Sequence, residues 1–207
     1  YKVPAINLSS SAAALLAVSP LCAGKNDVKE IADRVADWQI ANFKNVTYTG
    51  KKRAVLDWAN GALFRGMVEW AQKTGYQPAE DFVMNIGKAN NWQMARRLYH
   101  ADDICVGQSF LLLYETHKDP AMLAHVKERA DSVIGLRSNV PMDIRVKGGQ
   151  ERWCWCDALF MAPPVYSTLT QITGDRKYAD FMKEEFVATT NHLFDTEYDL
   201  YYRDARY

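Results

Sequence analysis

The residues of this chain best suited to chemistry fall in three clusters. Asp57 stands beside Trp58 and Asn60, His100 beside Asp102 and Asp103, and Trp155 beside Asp157. Each cluster sets a carboxylate next to an aromatic or imidazole ring. Carboxylates can divide acid and base roles when their surroundings push their pKa values apart. Aromatic neighbours supply the flat apolar faces on which sugar rings stack. The third cluster lies in Trp-Cys-Trp-Cys-Asp-Ala-Leu-Phe-Met-Ala-Pro-Pro (153–164), where the cysteines suggest a metal, the tryptophans a sugar and the aspartate an acid. A structural zinc site needs more ligands than two cysteines. Cys154 and Cys156 are two residues apart and face different ways on a helix, and His100, His117, His125 and His192 stand at no ligand-like spacing to them. Cys105, Cys154 and Cys156 are therefore expected as small buried packing residues, with no metal held.

The elements that must position these clusters are helices. Behind a cap at Asn26 or Asp27, Val28, Ile31, Val35 and Trp38 recur at helical spacing. Runs over 57–74, 100–118 and 155–173 are apolar nearly all round, which predicts burial on every side. Amphipathic runs follow each of them, over 77–90, 119–135 and 176–194, and the first two open on Pro78 and Pro120. A short strand is expected only within Asn-Val-Pro-Met-Asp-Ile-Arg-Val-Lys-Gly-Gly (139–149). The carboxylate clusters open the three apolar runs at a spacing of roughly 50 residues, the scale of a helix-pair repeat. Two of those runs end in Thr-Gly, at Thr74-Gly75 and Thr173-Gly174, and the third ends at Lys118-Asp119.

Buried helices alternating with half-buried ones predict an all-α fold of the toroid type, an inner ring wrapped by an outer ring. Inner helices of such a ring run the same way, so their N-termini and the three acidic clusters meet at one mouth. Aspartate is a favoured helix N-cap worth about 1 kcal/mol, which accounts for one Asp per helix. It does not account for the Trp and His beside them.

Bulk composition narrows the function classes. A length of 207 residues, 48% of them hydrophobic, suits one domain with a real core. Lys plus Arg and Asp plus Glu are 25 each, with no basic stripe, which argues against a nucleic-acid partner. Residues 1–24, with one Lys and then small and apolar residues ending in Leu-Cys-Ala before Gly24, are expected to be the tail of a secretory signal peptide. That predicts a periplasmic or secreted protein, and the apolar stretch is too short to span a bilayer comfortably.

Five segments carry a resemblance to a known family. They are Asp-Trp-Ala-Asn-Gly-Ala-Leu-Phe-Arg-Gly-Met (57–67), His-Ala-Asp-Asp-Ile-Cys-Val-Gly-Gln-Ser-Phe-Leu-Leu-Leu-Tyr-Glu (100–115), Arg-Trp-Cys-Trp-Cys-Asp-Ala-Leu-Phe-Met-Ala-Pro-Pro (152–164), Thr-Gly-Asp-Arg-Lys-Tyr-Ala-Asp-Phe-Met (173–182) and Leu-Tyr-Tyr-Arg-Asp-Ala-Arg-Tyr (200–207). The chain resembles the unsaturated glucuronyl and rhamnogalacturonyl hydrolases, glycoside hydrolase families 88 and 105, and looks closer to 105. The resemblance implies a barrel of six helix pairs. The seven helical runs of residues 25–207 make three and a half pairs, so the chain is expected to be the front portion of a longer catalytic barrel.

By that resemblance Asp157 is the catalytic acid and Asp102 the second pocket carboxylate, with the adjacent Asp103 as its alternative. Trp155 matches a tryptophan that lies against the sugar. Trp58, Asn60 and His100 line the same mouth. Lys147 matches a substrate-contacting basic residue, and Arg203 stands where some members carry a pocket histidine. The implied substrate is a lyase-generated oligosaccharide, of the pectin or rhamnogalacturonan type, with a 4,5-unsaturated uronic acid at its non-reducing end. The implied reaction hydrates the vinyl ether and needs no metal or cofactor. It requires a carboxyl protonated near neutral pH, and burial against Trp153, Trp155, Leu159 and Phe160, with Asp102 nearby, is expected to raise Asp157. The alternative is a non-catalytic α/α scaffold that grips a sugar or a protein.

Overall fold

The computed structural model describes residues 25–44 and 53–207. The expected leader, residues 1–24, lies outside them. The architecture is α-helical. α1 (Lys25–Asn42) precedes the first inner helix, α2 (Trp58–Thr74), which pairs with the outer helix α3 (Gln77–Ala89). The second inner element is broken into α4 (Ala101–Ile104) and α5 (Gly107–His117), backed by the outer α6 (Pro120–Gly135). The third is broken into α7 (Ala158–Met161) and α8 (Pro163–Thr173), backed by the outer α9 (Lys177–Leu193). α2 packs on α5 and α5 on α8, so the inner helices form a continuous layer with the outer ones behind it.

Burial follows the patterns that specify each layer. Gly107, Gln108, Ser109, Phe110, Leu111 and Leu113 of α5 are all buried, as a helix covered on every side must be. α6 buries one stripe, Met122, Val126, Ala130 and Val133, at helical spacing, and α9 buries Tyr178, Phe181, Glu185, Thr189 and Leu193. Fully burying side chains the size of Phe64, Phe110 or Leu169 stabilises by about 1.5–3 kcal/mol each. The inner helices stop alike. Gly75 and Gly174 both take φ +72°, and Lys118 takes φ +57°, each donating its N–H back to Ala71, Thr170 and Tyr114 respectively.

Three expectations need correction. The runs 100–118 and 155–173 are not continuous helices. The second breaks at Ala162 because Pro163 and Pro164 lack the N–H groups that would extend α7. The first breaks at Cys105-Val106, where α2 comes close: a Cβ on Gly61 would lie 3.0 Å from the Val106 nitrogen and 3.1 Å from Cys105 Sγ. Residues 139–149 form no strand but a loop running into a 3₁₀ turn (Gly149–Glu151). The strands that do form, β1 (Phe194–Asp195) and β2 (Leu200–Tyr201), make a small antiparallel hairpin after α9. Its turn is held by Asp195, whose Oδ1 accepts from the Glu197 and Tyr198 nitrogens at 2.8 and 3.2 Å.

α1 departs from its pattern too. Val28, Ile31, Val35 and Trp38 face solvent, Trp38 at 58% exposure, while Ala36 is the residue that joins the core. An apolar groove of about 240 Å³ runs between α1 and α2 beside that stripe, lined by Ala32, Val35, Ala36, Leu63, Met67 and Trp70 among others. Among the described residues no helix is long and apolar enough to cross a membrane.

Candidate active site

Each inner element starts at the same end with a different device. Asp57 is a true N-cap of α2: its Oδ1 accepts from the Ala59 nitrogen at 3.1 Å and from Arg53 Nη1 at 2.7 Å. Arg53 lies over the Trp58 ring, 5.2 Å from its centroid. Asn60 Nδ2 donates to the Ala54 and Val55 carbonyls at 2.9 and 3.2 Å, which ties the preceding turn to the helix. At α4 the cap is His100, whose Nδ1 accepts from the Asp102 nitrogen at 3.3 Å, so Asp102 is left free of capping. Asp157 precedes α7 in helical conformation and makes no side-chain cap bond. Capping therefore explains Asp57 and neither Asp102 nor Asp157.

The electrostatics separate Asp102 from Asp103. Arg97 holds Asp103 three ways: its backbone nitrogen donates to Oδ2 at 2.7 Å, and Nε and Nη2 donate to Oδ1 at 3.0 and 2.6 Å. Burial pushes the Asp103 carboxyl up, but these bonds outweigh it and hold it below the usual range. Asp102 has no such clamp, with Arg97 Nη2 3.9 Å from its Oδ2. Burial, reinforced by the negative charges of Asp157, Asp103 and Asp57 and only partly offset by Arg97, pushes Asp102 up to about 6. Carboxylates from all three inner elements thus act on Asp102 at this mouth. His100 is buried, and burial with the Arg97 charge lowers it to about 4, so the ring is neutral at physiological pH. With Nδ1 accepting from Asp102, the ring proton sits on Nε2, a buried atom without a hydrogen-bond partner among the described residues. Gln150 interacts with the ring without reaching hydrogen-bond geometry there.

The expected surroundings of Asp157 are different in the structure. Asp157 is exposed and Phe160 is 47% exposed, and the carboxyl found raised at this mouth is Asp102. Trp153 points away into the core, packing on Tyr166 and Phe181 at 6.0 Å each. Trp155 is only 4% exposed and lies tilted against His100 at 4.8 Å. It is part of the wall rather than an open stacking face. Trp58 is the more exposed ring of the two. Lys147 stands exposed in the loop before the 3₁₀ turn and joins none of the ion pairs among the described residues. Arg203 does come to the site, through its backbone: the Cys156 nitrogen donates to the Arg203 carbonyl at 2.8 Å, and Asp204 bridges Trp155.

Two residues of this framework were not picked out from sequence. Arg97 decides which aspartate titrates. Asp204, fully buried, accepts from Arg206 Nε and Nη2 at 2.7 and 2.8 Å and from Arg203 Nη1 at 2.9 Å. Arg206 holds that carboxyl down to about 2. The alternation Arg-Asp-Ala-Arg (203–206) is the visible signal for this clasp.

The cysteines are free thiols. Cys105 and Cys154 are buried, and burial pushes them up to about 12 and about 11. Cys156 is half-buried, against the expectation of full burial, because it lies on the turn just before exposed Asp157, and it is raised as well. Among the described residues no three His, Cys, Asp or Glu side chains converge as a metal-ligand set.

Comparison with known proteins places this arrangement. The model of Glycosyl Hydrolase Family 88 matches residues 31–207. A curated protein from Alteromonas sp. (strain LOR), named unsaturated 3S-rhamnoglycuronyl hydrolase, is 31% identical over 205 residues, covering 91% of this chain and 50% of its own length. A protein of the same name from Formosa agariphila is 32% identical over 164 residues, covering 74% of this chain and 42% of its own. The chain thus spans about half the length of the curated relatives it matches. A solved structure described as glycosyl hydrolase family 88 from Bacteroides vulgatus superposes with a TM-score of 0.64 at 23% identity, over 84% of this chain and 52% of the other. That likeness establishes a shared helical architecture.

Proposed function

The chain belongs to Glycosyl Hydrolase Family 88, and from that premise we propose that it carries the acid pair of a hydrolase acting on unsaturated uronic acids. The substrate is an oligosaccharide left by a lyase, with a 4,5-unsaturated uronic acid at its non-reducing end. The name shared by the two curated relatives favours a rhamnose-linked substrate, of which the rhamnogalacturonan type is one form. The observation that carries the proposal is a buried carboxyl, Asp102, that burial with the nearby Asp157 charge from another inner element helps push up to about 6.

Burial and like charge let Asp102 keep its proton to a higher pH than an ordinary carboxyl. Asp102, the more buried, stabilises the protonated state. Asp157, exposed at the mouth, is where the proton passes to C4 of the sugar. Water then bonds to C5 and gives up its own proton to the carboxylate, which restores the acid. The hemiketal formed at C5 collapses and releases the aglycone. Anomeric-carbon attack with its two-carboxylate geometry is not involved. Neutral His100 and buried Trp155 wall the site against water and hold its low-dielectric side. Exposed Trp58 offers the stacking face, and the uronate carboxylate would draw Lys147 from its loop, the Arg203 guanidinium being held by Asp204. The leader-like residues 1–24 support a location in the periplasm or outside the cell.

The test is Asp157→Asn in the intact protein, assayed on an unsaturated uronyl-rhamnose disaccharide by loss of the double-bond absorbance. Removing a positioned general acid costs about 10²–10⁴-fold in kcat, with the circular dichroism spectrum unchanged. Turnover near that of the parent sinks the assignment. Binding of the disaccharide without turnover by the parent protein supports a scaffold role instead.

A further inference from the structure

The break in the third inner helix leaves three carbonyls without a helical partner. Pro163 and Pro164 have no N–H for the Leu159 and Phe160 carbonyls. The Val165 nitrogen, which would serve Met161 in an unbroken helix, donates to the Ala162 carbonyl at 3.0 Å. The Phe160 and Met161 carbonyls are met by one side chain from another helix. Gln108 of α5, 2% exposed, donates through Nε2 to the Phe160 carbonyl at 2.7 Å and to the Met161 carbonyl at 2.9 Å. Its Oε1 accepts from Arg65 Nη1 of α2 at 3.0 Å, and Arg65 is held in turn by Glu69 at 2.7 and 2.5 Å. Both amide hydrogens and the amide oxygen are thereby used, and one polar chain crosses all three inner elements.

The same turn is pinned from its other end by Asp157, whose carbonyl accepts from the Phe160 and Met161 nitrogens at 3.0 and 3.2 Å. Residues 160 and 161 therefore hang between the backbone of the candidate acid and the amide of Gln108. Gln108 is itself fixed to the Asp102 side, its backbone nitrogen donating to the Cys105 carbonyl at 3.1 Å. A four-residue helix has too few internal bonds to set its own orientation. We propose that Gln108 is a positioning residue that sets the Asp157 turn against the Asp102 turn, acting through the Phe160 and Met161 carbonyls. The inference rests on the proposed acid pair, and it assigns Gln108 no contact with substrate.

The experiment is a double-mutant cycle in the intact protein with Gln108→Met, of similar volume but without the donors, and Asp157→Asn. Gln108→Met is expected to lower kcat about tenfold or more with KM within about twofold, because misplacing a reacting group costs rate before binding. On the Asp157→Asn background the same change is expected to cost less than about twofold, since the group it positions is gone. A residue that merely supported the fold would lower both backgrounds equally. Should Gln108→Met not fold, Gln108→Glu keeps the shape and the Arg65 contact while removing the amide donor, and the same loss is expected. A folded variant of either kind with parent-like kcat, or equal losses on both backgrounds, overturns the proposal while leaving the acid pair standing. Full turnover by Asp157→Asn alone overturns the acid pair and this inference with it.

Discussion

At the scale of single residues, the unequal fates of Asp102 and Asp103 matter most. They are chain neighbours with the same side chain, yet Arg97 binds one and leaves the other to burial and like charge. The part of the activity that depends on protonated Asp102 is present below about 6 and lost as pH rises through it. Asp102→Asn removes the group that titrates there. The limb near pH 6 is therefore expected to vanish from the kcat/KM profile of that variant, together with a fall in kcat. A limb that stays in place would show that Asp102 does not set it. The thiols of Cys105, Cys154 and Cys156, raised by burial, are neutral at these pH values. Excess chelator is expected to leave turnover unchanged, and tightly held zinc found by elemental analysis would contradict that.

At the scale of elements, close packing between helix ends controls where the carboxylates stand. Gly87 of α3 shows how little slack there is: a Cβ there would fall 2.1 Å from the ring of Trp92, which is buried edge-on against Phe110 at 5.2 Å. Gly87→Ala must displace that ring and is expected to destabilise by about 1–3 kcal/mol, read as a lower denaturation midpoint. The helical runs, their order and their glycine stops were legible in the sequence, because apolar periodicity and Thr-Gly endings are local signals. The break at Cys105-Val106 was not, since its cause is the approach of Gly61 from another helix. Pro163 and Pro164 were visible, but prolines both open helices and interrupt them, and only packing decides which. Asp102 and Asp157 were legible as a pair. Their unequal burial was not, because it depends on how the turns that carry them pack against the rest of the fold. The open α1 stripe was equally hidden: its spacing specifies a helix and says nothing about what covers it.

At the scale of the whole molecule, that stripe is an unbalanced surface among the described residues. Val28, Ile31, Val35 and Trp38 stand in solvent beside the groove between α1 and α2. Contiguous apolar patches of a few hundred Å² are unusual on a soluble monomer. The free side of α8 is milder, with Ser167, Thr168, Thr170 and Gln171 rather than large apolar residues. Residues 25–207 produced alone are therefore expected to bind hydrophobic dye, to self-associate through the α1 side, and to lack turnover. Light scattering and the double-bond assay check this, and a monomeric, sharply melting, active product would show that these residues suffice.

The joints at Cys105-Val106 and Ala162 have one more consequence. They cut the mouth turns α4 and α7 off from the long bodies of α5 and α8. Short helices open by local fluctuation at far smaller free energy than global unfolding, whereas core helices exchange their amide hydrogens only near the global limit. The wall around the site can thus fray and reseal on its own while the layer behind it stays shut. Amide hydrogens at 101–104 and 158–161 would exchange early, and those of 107–117 late. Breathing at the rim is in this way insulated from the integrity of the ring.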